Sequence, residues 1–540
     1  MNSKQISLKW WQSGVVYQIY PRSFKDTTGN GVGDLNGVIE KMDYLNDGTE
    51  NSLGIDAIWF SPINPSPMAD FGYDVADYCD IEPLFGDLAT FDRLIAEAHK
   101  RGMKVIIDWV PNHTSDQHPW FIESRSSRDN PKRNWYIWGD PKADGSPPNN
   151  WGSFFGGPAW TFDTLTGQYY MHQFVKEQPE LNWRNPETKA AMLDTLRFWM
   201  HRGVDGFRMD VIGLIYKDLA LQDNPPDPQA DPSLPANDLF NQQLHVYNWD
   251  QDDVHPVIRE IRQTLDEFND RVGIGELWGS LDRWVLYYGQ NEDELQLPFN
   301  FRLMEVPFTA EAMRASVDDM EGVLPEFAWP NYVLGNHDRI RLASRFGGQP
   351  QARLAAMLIL TLRGTPTLYY GDELGLENGI IPLEKIQDPQ GINLGAERTR
   401  DVCRTPMQWD AAIHAGFSQV EPWLPVSPDY ETRNVKEMSN HPDSILNLYR
   451  KLLWLRRKNK ALHGGSYHPL DIAEGIFAYQ RERNGERVLV VLNFNDTAQK
   501  VPIPEFGGVH KIILSTHMDR TGSVTLDHLE LRAYEGLIID

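Results

Sequence analysis

The chain has 540 residues, with 51 Lys and Arg against 76 Asp and Glu, a formal net charge of −25. That sign repels phosphate backbones and anionic headgroups, which excludes nucleic acid and membrane surfaces as partners. A hydrophobic share of 41% with 24% charged residues belongs to a folded globular protein, long enough for one large barrel with attachments.

Met1 to Trp11 hold no apolar run before a small-residue cleavage site, so no secretory leader is expected. Two cysteines, Cys79 and Cys403, build no disulfide framework, and a cytoplasmic location follows as the expectation. Val15–Tyr20 reads as the first strand. After it, Asp26-Thr-Thr28-Gly-Asn30-Gly31-Val32-Gly-Asp34 places oxygen donors at alternate positions around a glycine turn, as a cation loop does. Gly37 stands at the twelfth position, where an EF-hand needs Glu, so a true EF-hand is excluded. Ala57–Phe60 is the second strand, Leu88–Gly102 a helix with Phe91, Leu94, Ile95 and Ala98 on one face, and Lys104–Asp108 the third strand.

The stretch from Pro111 to Trp183 is rich in Pro, Gly, Asn and Trp, lacks a helical period, and is too long for a simple connection. It predicts an inserted subdomain over 111–183 after the third strand. A helix over Ala190–His201 and a strand over Gly206–Asp210 follow, then a Pro- and Asp-rich loop, Gln222–Leu239. Further strands are expected at Val272–Glu276, Leu297–Phe301, Tyr332–Asn336 and Thr365–Tyr369. The apolar run Leu354–Leu362 is shorter than the roughly 20 residues of a membrane span and predicts a buried helix. Eight strand-then-helix units imply an α/β fold, a (β/α)8 TIM barrel formed by 1–110 and 184–463. From Gly464 the pattern is strands alone, as in Phe477–Arg481 and Val488–Asn493, which predicts a sandwich-like antiparallel β-domain over 464–540.

Four strand ends carry acid or amide chemistry: Asp108 to His113, Arg208-Met-Asp210-Val211, Glu276-Leu-Trp278, and Asn336-His337-Asp338-Arg339. One Asp at a strand end is ordinarily a cap or an ion-pair partner. Four at the mouth of one barrel predict a site, because neighbouring carboxylates resist joint ionisation and shift one another's pKa. Glycoside hydrolysis uses such a set: one carboxylic acid protonates the leaving oxygen while a second carboxylate attacks the anomeric carbon or activates water. Arg208 shares a strand face with Asp210 and is expected to hold it ionised, as nucleophile. Trp278, Leu277 and Ile274 give Glu276 the apolar surroundings of a general acid. Aromatic residues make up 11% of the chain, many beside Asp, Asn, His and Gly, and some of them would suit sugar rings.

These four segments resemble the conserved regions of the α-amylase superfamily, glycoside hydrolase family 13. Gln178-Pro-Glu180-Leu-Asn182 resembles the region that marks its oligo-1,6-glucosidase and α-glucosidase branch. The resemblance implies a retaining enzyme with Asp210 as nucleophile, Glu276 as acid/base and Asp338 as the third acid. It further implies a glucose clamp of Asp70, Tyr73, His113, Phe155, Phe174, Arg208, His337 and Arg400. It implies a structural Ca²⁺ or Mg²⁺ on Asp26, Thr28, Asn30, the Val32 carbonyl and Asp34, and no organic cofactor. The catalytic carboxyls should lie about 5–5.5 Å apart, as retention requires.

On linkage the signals divide. Val211 after the nucleophile resembles enzymes that accept α-1,6 bonds, whereas the 222–239 loop resembles α-glucosidases that favour short α-1,4 substrates and transfer glucose to alcohols. The expectation is therefore a broad, exo-acting α-glucosidase on small α-glucosides, as monomer or homodimer. An isomaltase-specific enzyme, or a sucrose isomerase or glucosyltransferase on the same site, stands as the alternative. A noncatalytic transporter heavy chain is disfavoured, since the acids are intact and no membrane span is present.

Overall fold

The computed structural model describes residues 8–540. The expected absence of a leader at Met1–Trp11 falls mostly on residues 1–7, outside the described residues. Eight parallel strands form one sheet: β1 (Val16–Ile19), β2 (Ala57–Phe60), β3 (Lys104–Trp109), β7 (Gly206–Met209), β8 (Val272–Gly275), β9 (Leu297–Pro298), β10 (Asn331–Val333) and β11 (Thr365–Tyr369). Their order is β10-β11-β1-β2-β3-β7-β8-β9, and a parallel bridge between Asn300 and Tyr332 joins the two ends into a barrel.

Side-chain alternation sorts each strand into two layers. Val16, Ala57, Trp59, Ile106, Val272, Ile274, Leu297 and Val333 fill the interior. Tyr17, Ile58, Phe60, Val105, Ile107 and Phe207 face outward into the larger core shared with the helices. Gly206 is required by close approach: a Cβ there would stand 2.4 Å from Val272 Cγ1.

The helix Leu88–Lys100 buries the four residues read from its period and is capped by Asp87, which accepts from Thr90 N. The helix expected from Ala190 starts at Pro186, because Asn185 caps it and proline is tolerated in the first turn. Gln349–Thr361 is buried almost all round, since it packs against both the barrel and the C-terminal sheet; Thr361 Oγ1 meets Tyr479 OH at 2.5 Å.

Two expected strands are shorter than the sequence pattern. Pro298 has no N–H to extend β9, and Asn300 Oδ1 accepts from Arg302 N to open a short helix at Arg302–Glu305. Strand β10 ends at Val333 instead of Asn336, so Asn336, His337 and Asp338 lie in the loop beyond it.

Within 111–183 a three-stranded antiparallel sheet forms from β4 (Trp138–Gly139), β6 (Gln168–Met171) and β5 (Trp160–Asp163), in that order. The absence of a helical period there is corrected by the helix Pro119–Ser126, whose eight residues are set by Pro119 and the His118 cap. Residues 466–539 carry β12 (Ser466–Leu470), β13 (Ile476–Arg483), β14 (Glu486–Asn493), β15 (Gln499–Val501), β16 (Val509–Ser515), β17 (Gly522–Thr525), β18 (Leu529–Leu531) and β19 (Gly536–Ile539). Six of these make one antiparallel sheet, and β15 pairs with β18. Ile476, Val491 and Ile539 pack on Val501, Leu529 and Leu531, while Phe477, Tyr479 and Val490 on the other face join the core of the barrel. No helix among the described residues is long and apolar enough to cross a membrane.

Candidate active site

The alternation that packs the barrel also builds its mouth. Two residues beyond the buried interior positions Val16, Ile106 and Ile274 stand Gln18, Asp108 and Glu276, and Gly206 is followed on the same face by Arg208 and Asp210. All five side chains are buried. Such positions at the C-terminal ends of barrel strands are where this fold carries its chemistry.

Arg208 is the hub. Its Nη1 donates to Asp108 Oδ1 and Asp210 Oδ1, both at 2.8 Å, and its Nη2 donates to Glu276 Oε2 at 2.6 Å. One guanidinium therefore bridges the expected nucleophile and the expected acid, with its charge divided among three carboxylates. Burial pushes Asp108 up to about 7 against the pull of Arg208. Burial also pushes Asp210 well above the usual carboxylate range; Arg208 opposes this, and Glu276 and Asp108 add to it. Arg208 thus reaches Asp210 as the strand pattern predicts, while sharing its charge with Asp108 and Glu276. Three buried carboxylates gathered on one cation disfavour joint ionisation.

Val211, next to Asp210, sits at φ 36° and ψ 44°, a left-handed conformation that is costly for a β-branched residue. The turn aims its N–H at Glu276 Oε2, 3.0 Å away. Strain is thus held at the joint between the two carboxyls.

A second cluster closes the pocket. Arg400 donates from Nη2 to Asp70 Oδ1 at 2.8 Å, from Nη1 to Asp338 Oδ1 at 3.0 Å, and from Nη2 to Asp388 Oδ1 at 2.6 Å. Arg404 Nη2 adds a second bond to Asp338 Oδ1 at 3.0 Å. Burial works against the charge of Asp338, but His337, Arg400 and Arg404 hold it well below the usual carboxylate range. Asp70, buried more completely and facing Asp388, is instead pushed up to about 6 despite Arg400 and Arg404.

Tyr73 stacks on His337 with ring centroids 5.4 Å apart and planes at 3°. Its hydroxyl donates to Asp108 Oδ2 at 2.9 Å and lies 2.5 Å from His337 Nε2. Gln18 Nε2 lies 2.8 Å from His337 Nδ1, and the imidazole is wholly buried. Burial accordingly drives His337 well below its ordinary value, and burial with Lys217 brings His113 to about 3. Both imidazoles present neutral polar groups, as the hydroxyls of a sugar require.

Asp70, Tyr73, His113, Phe155, Phe174, Asp210, Glu276, Asp338 and Arg400 line one cavity of about 470 Å³. Arg208 and His337 lie beneath it, fully buried. The sequence pattern assigned no role to Asp388, Arg404 or Gln18, nor to Phe240, Asn241, Trp249 and Gln390, which also line the cavity. The four-residue step from Arg400 to Arg404 was a readable signal; the pairing of Asp388 with Arg400 had none.

The expected metal loop is separate. Asp26 Oδ1 accepts from Thr28 N, Thr28 Oγ1 and Gly29 N, and its Oδ2 from Gly31 N and Ser418 Oγ. Asn30 Oδ1 accepts from Val32 N. Asp34 caps the helix Leu35–Glu40 through Gly37 N and accepts from Thr27. Burial opposes the charge of Asp26, but Ser418 and the loop amides keep it below its ordinary value.

The α-amylase catalytic-domain family matches residues 18–465, and the C-terminal domain family of the α-amylase SusG matches 476–538. A probable α-glucosidase of Rhizobium meliloti is 40% identical, covering 92% of this chain and 91% of that protein. An oligo-1,6-glucosidase of Halalkalibacterium halodurans is 38% identical over 99% of both chains. Among solved structures, an α-glucosyl transfer enzyme superposes with a TM-score of 0.92 at 40% identity, covering 99% of each chain.

Proposed function

The chain belongs to the α-amylase family, and on that premise we propose that it is a retaining, exo-acting α-glucosidase of short α-glucosides. The observation that carries this reading is the Arg208 bridge between Asp210 and Glu276 inside a pocket closed by the Asp70–Arg400 pair. Asp210 attacks the anomeric carbon as Glu276 gives its proton to the leaving oxygen, forming a covalent glucosyl ester. Glu276 then takes a proton from water as that water displaces Asp210, and glucose leaves as the α-anomer. Asp338, held anionic, faces the positive charge that develops on the sugar. Neutral His113 and His337, with Asp70 and Arg400, fix its hydroxyls. Proton NMR of the first-formed product tests this: α-glucose supports it, and β-glucose overturns it.

Transfer of glucose to a sugar or alcohol in place of water is the second reading. It is favoured by the aromatic outer wall of Phe154, Phe240 and Trp249, and by the likeness to a glucosyl transfer enzyme. Product analysis at high maltose or sucrose separates the two. Val211 supports acceptance of α-1,6 bonds, and comparing maltose with isomaltose turnover tests breadth.

For the loop at 26–34, the reading is a structural Ca²⁺ or Mg²⁺ held by Asp26, Thr28, Asn30, the Val32 carbonyl and Asp34. Two carboxylates with amide, hydroxyl and carbonyl oxygens suit a hard cation. Asp26 accepts five hydrogen bonds from its own loop and Ser418, so chelation is expected to lower the melting temperature by a few degrees only. No change at all would remove the ion. A cytoplasmic location is supported by the unbridged Cys79 and Cys403. Whether the enzyme is a monomer or homodimer is read from its sedimentation.

A further inference from the structure

The Pro-rich loop after β7 contains a buried carboxylate, Asp238, that the reaction does not use. It accepts from Arg398 Nη1 at 2.5 Å. It also accepts from Asn241 Nδ2 at 2.9 Å on one oxygen and 3.1 Å on the other, and from Asn241 N at 3.3 Å. Arg398 stands two residues before Arg400, the residue that grips Asp70 and Asp338. The loop is therefore bolted to the segment that closes the inner pocket, although the two lie far apart in the chain.

The bolt fixes one amide. Both Asp238 oxygens accept, from Arg398 and from the amide, so the Asn241 atom facing them is Nδ2, and Oδ1 is left over. Asn241 lines the same cavity, together with Phe240, Trp249 and Gln390. No hydrogen bond among the described residues uses its Oδ1. Beside it, Phe240 is locked by stacks on Phe154 at 3.7 Å and His245 at 3.8 Å. An oriented acceptor next to a rigid aromatic wall is what recognition of a hydroxylated ring needs: the amide takes an O–H and the wall takes the apolar face.

We propose that Asn241 determines specificity for a polyhydroxylated leaving or acceptor group, and that Asp238, bridged to Arg398, is the residue that positions it. This rests on the α-glucosidase reading, and a parent enzyme that hydrolyses neither maltose nor p-nitrophenyl α-glucoside would sink that reading instead. With an active parent, the test compares kcat/KM for maltose with that for p-nitrophenyl α-glucoside, whose aryl group donates no hydroxyl. Asn241→Ala should lower the maltose-to-aryl ratio about tenfold, the size of one lost hydrogen bond. Asp238→Asn keeps an acceptor for the amide but frees Arg398. It should lower the same ratio about threefold, through KM more than kcat, and reduce glucosyl transfer to sugar relative to hydrolysis. A ratio within twofold of the parent in Asn241→Ala overturns the assignment. An unchanged ratio in an Asp238→Asn protein that melts like the parent overturns the positioning role.

Discussion

The inner and outer halves of the one pocket are held by different physics. The inner half is a set of buried charges, with Arg208 serving Asp108, Asp210 and Glu276 and Arg400 serving Asp70, Asp338 and Asp388. The outer half is an aromatic stack, Phe174 on Phe154 at 5.0 Å and Phe154 on Phe240 at 3.7 Å, hung on loops. Buried charge pairs are intolerant: removing one partner leaves the other desolvated and alone. Stacked rings lose only area and alignment when one is trimmed. The difference teaches that bond making is placed where geometry cannot relax, and choice of partner where it can.

The sharpest way to break that contrast is at the centre. Asp210→Asn keeps an oxygen that accepts from Arg208 but removes the proposed nucleophile. Activity should fall on the order of 10⁴-fold or more with the melting temperature within a few degrees. Substantial turnover by this variant would end its assignment. Arg400→Lys comes next. A lysine offers a point charge where Arg400 spreads one planar fork over three carboxylates, so kcat/KM should fall on the order of 10² to 10³-fold. A loss below tenfold would show that the closure is not rigid in the sense argued.

The inner half was legible for a reason that the outer half lacks. A strand repeats every two residues, so Arg208 and Asp210 or Ile274 and Glu276 declare a shared face in the sequence itself. The same rule gave the barrel, and it overran where Pro298 withholds a donor from β9. Coil has no period, and nothing in the chain announces that Phe240 will lie on Phe154 or that Asp388 will face Arg400. The surroundings of Asp210 were half legible for another reason: the sequence shows one arginine beside one aspartate, and only the fold shows three carboxylates dividing it.

Asp70 tests the energetic side of the comparison. Its folded pKa of about 6 lies above the roughly 3.9 of an unfolded aspartate, so folding disfavours its charged form. Its contribution to stability is complete below about pH 4 and is lost as pH rises through about 6. Asp70→Asn never charges. It should melt like the parent at pH 4 and a few degrees above it at pH 7, a difference of about 2 kcal/mol, while losing most of its activity. A melting difference that does not change with pH would contradict burial as the dominant influence on Asp70.

The smallest effect is expected at the outer wall, and it decides whether the halves are separable. Phe240 is buried and stacked on both sides, by Phe154 and His245, so Phe240→Ala removes two ring contacts worth about 0.5–1.5 kcal/mol each. No ring stack or side-chain hydrogen bond among the described residues links either partner ring to Asp210 or Glu276, so that loss is expected to fall on holding the second sugar. KM for maltose should rise about threefold to tenfold, with a smaller change in kcat. Were kcat to fall as far as KM rises, the aromatic wall would be acting on the carboxylates through the strained turn at Val211. The pocket would then be one mechanical unit, with chemistry and partner choice inseparable.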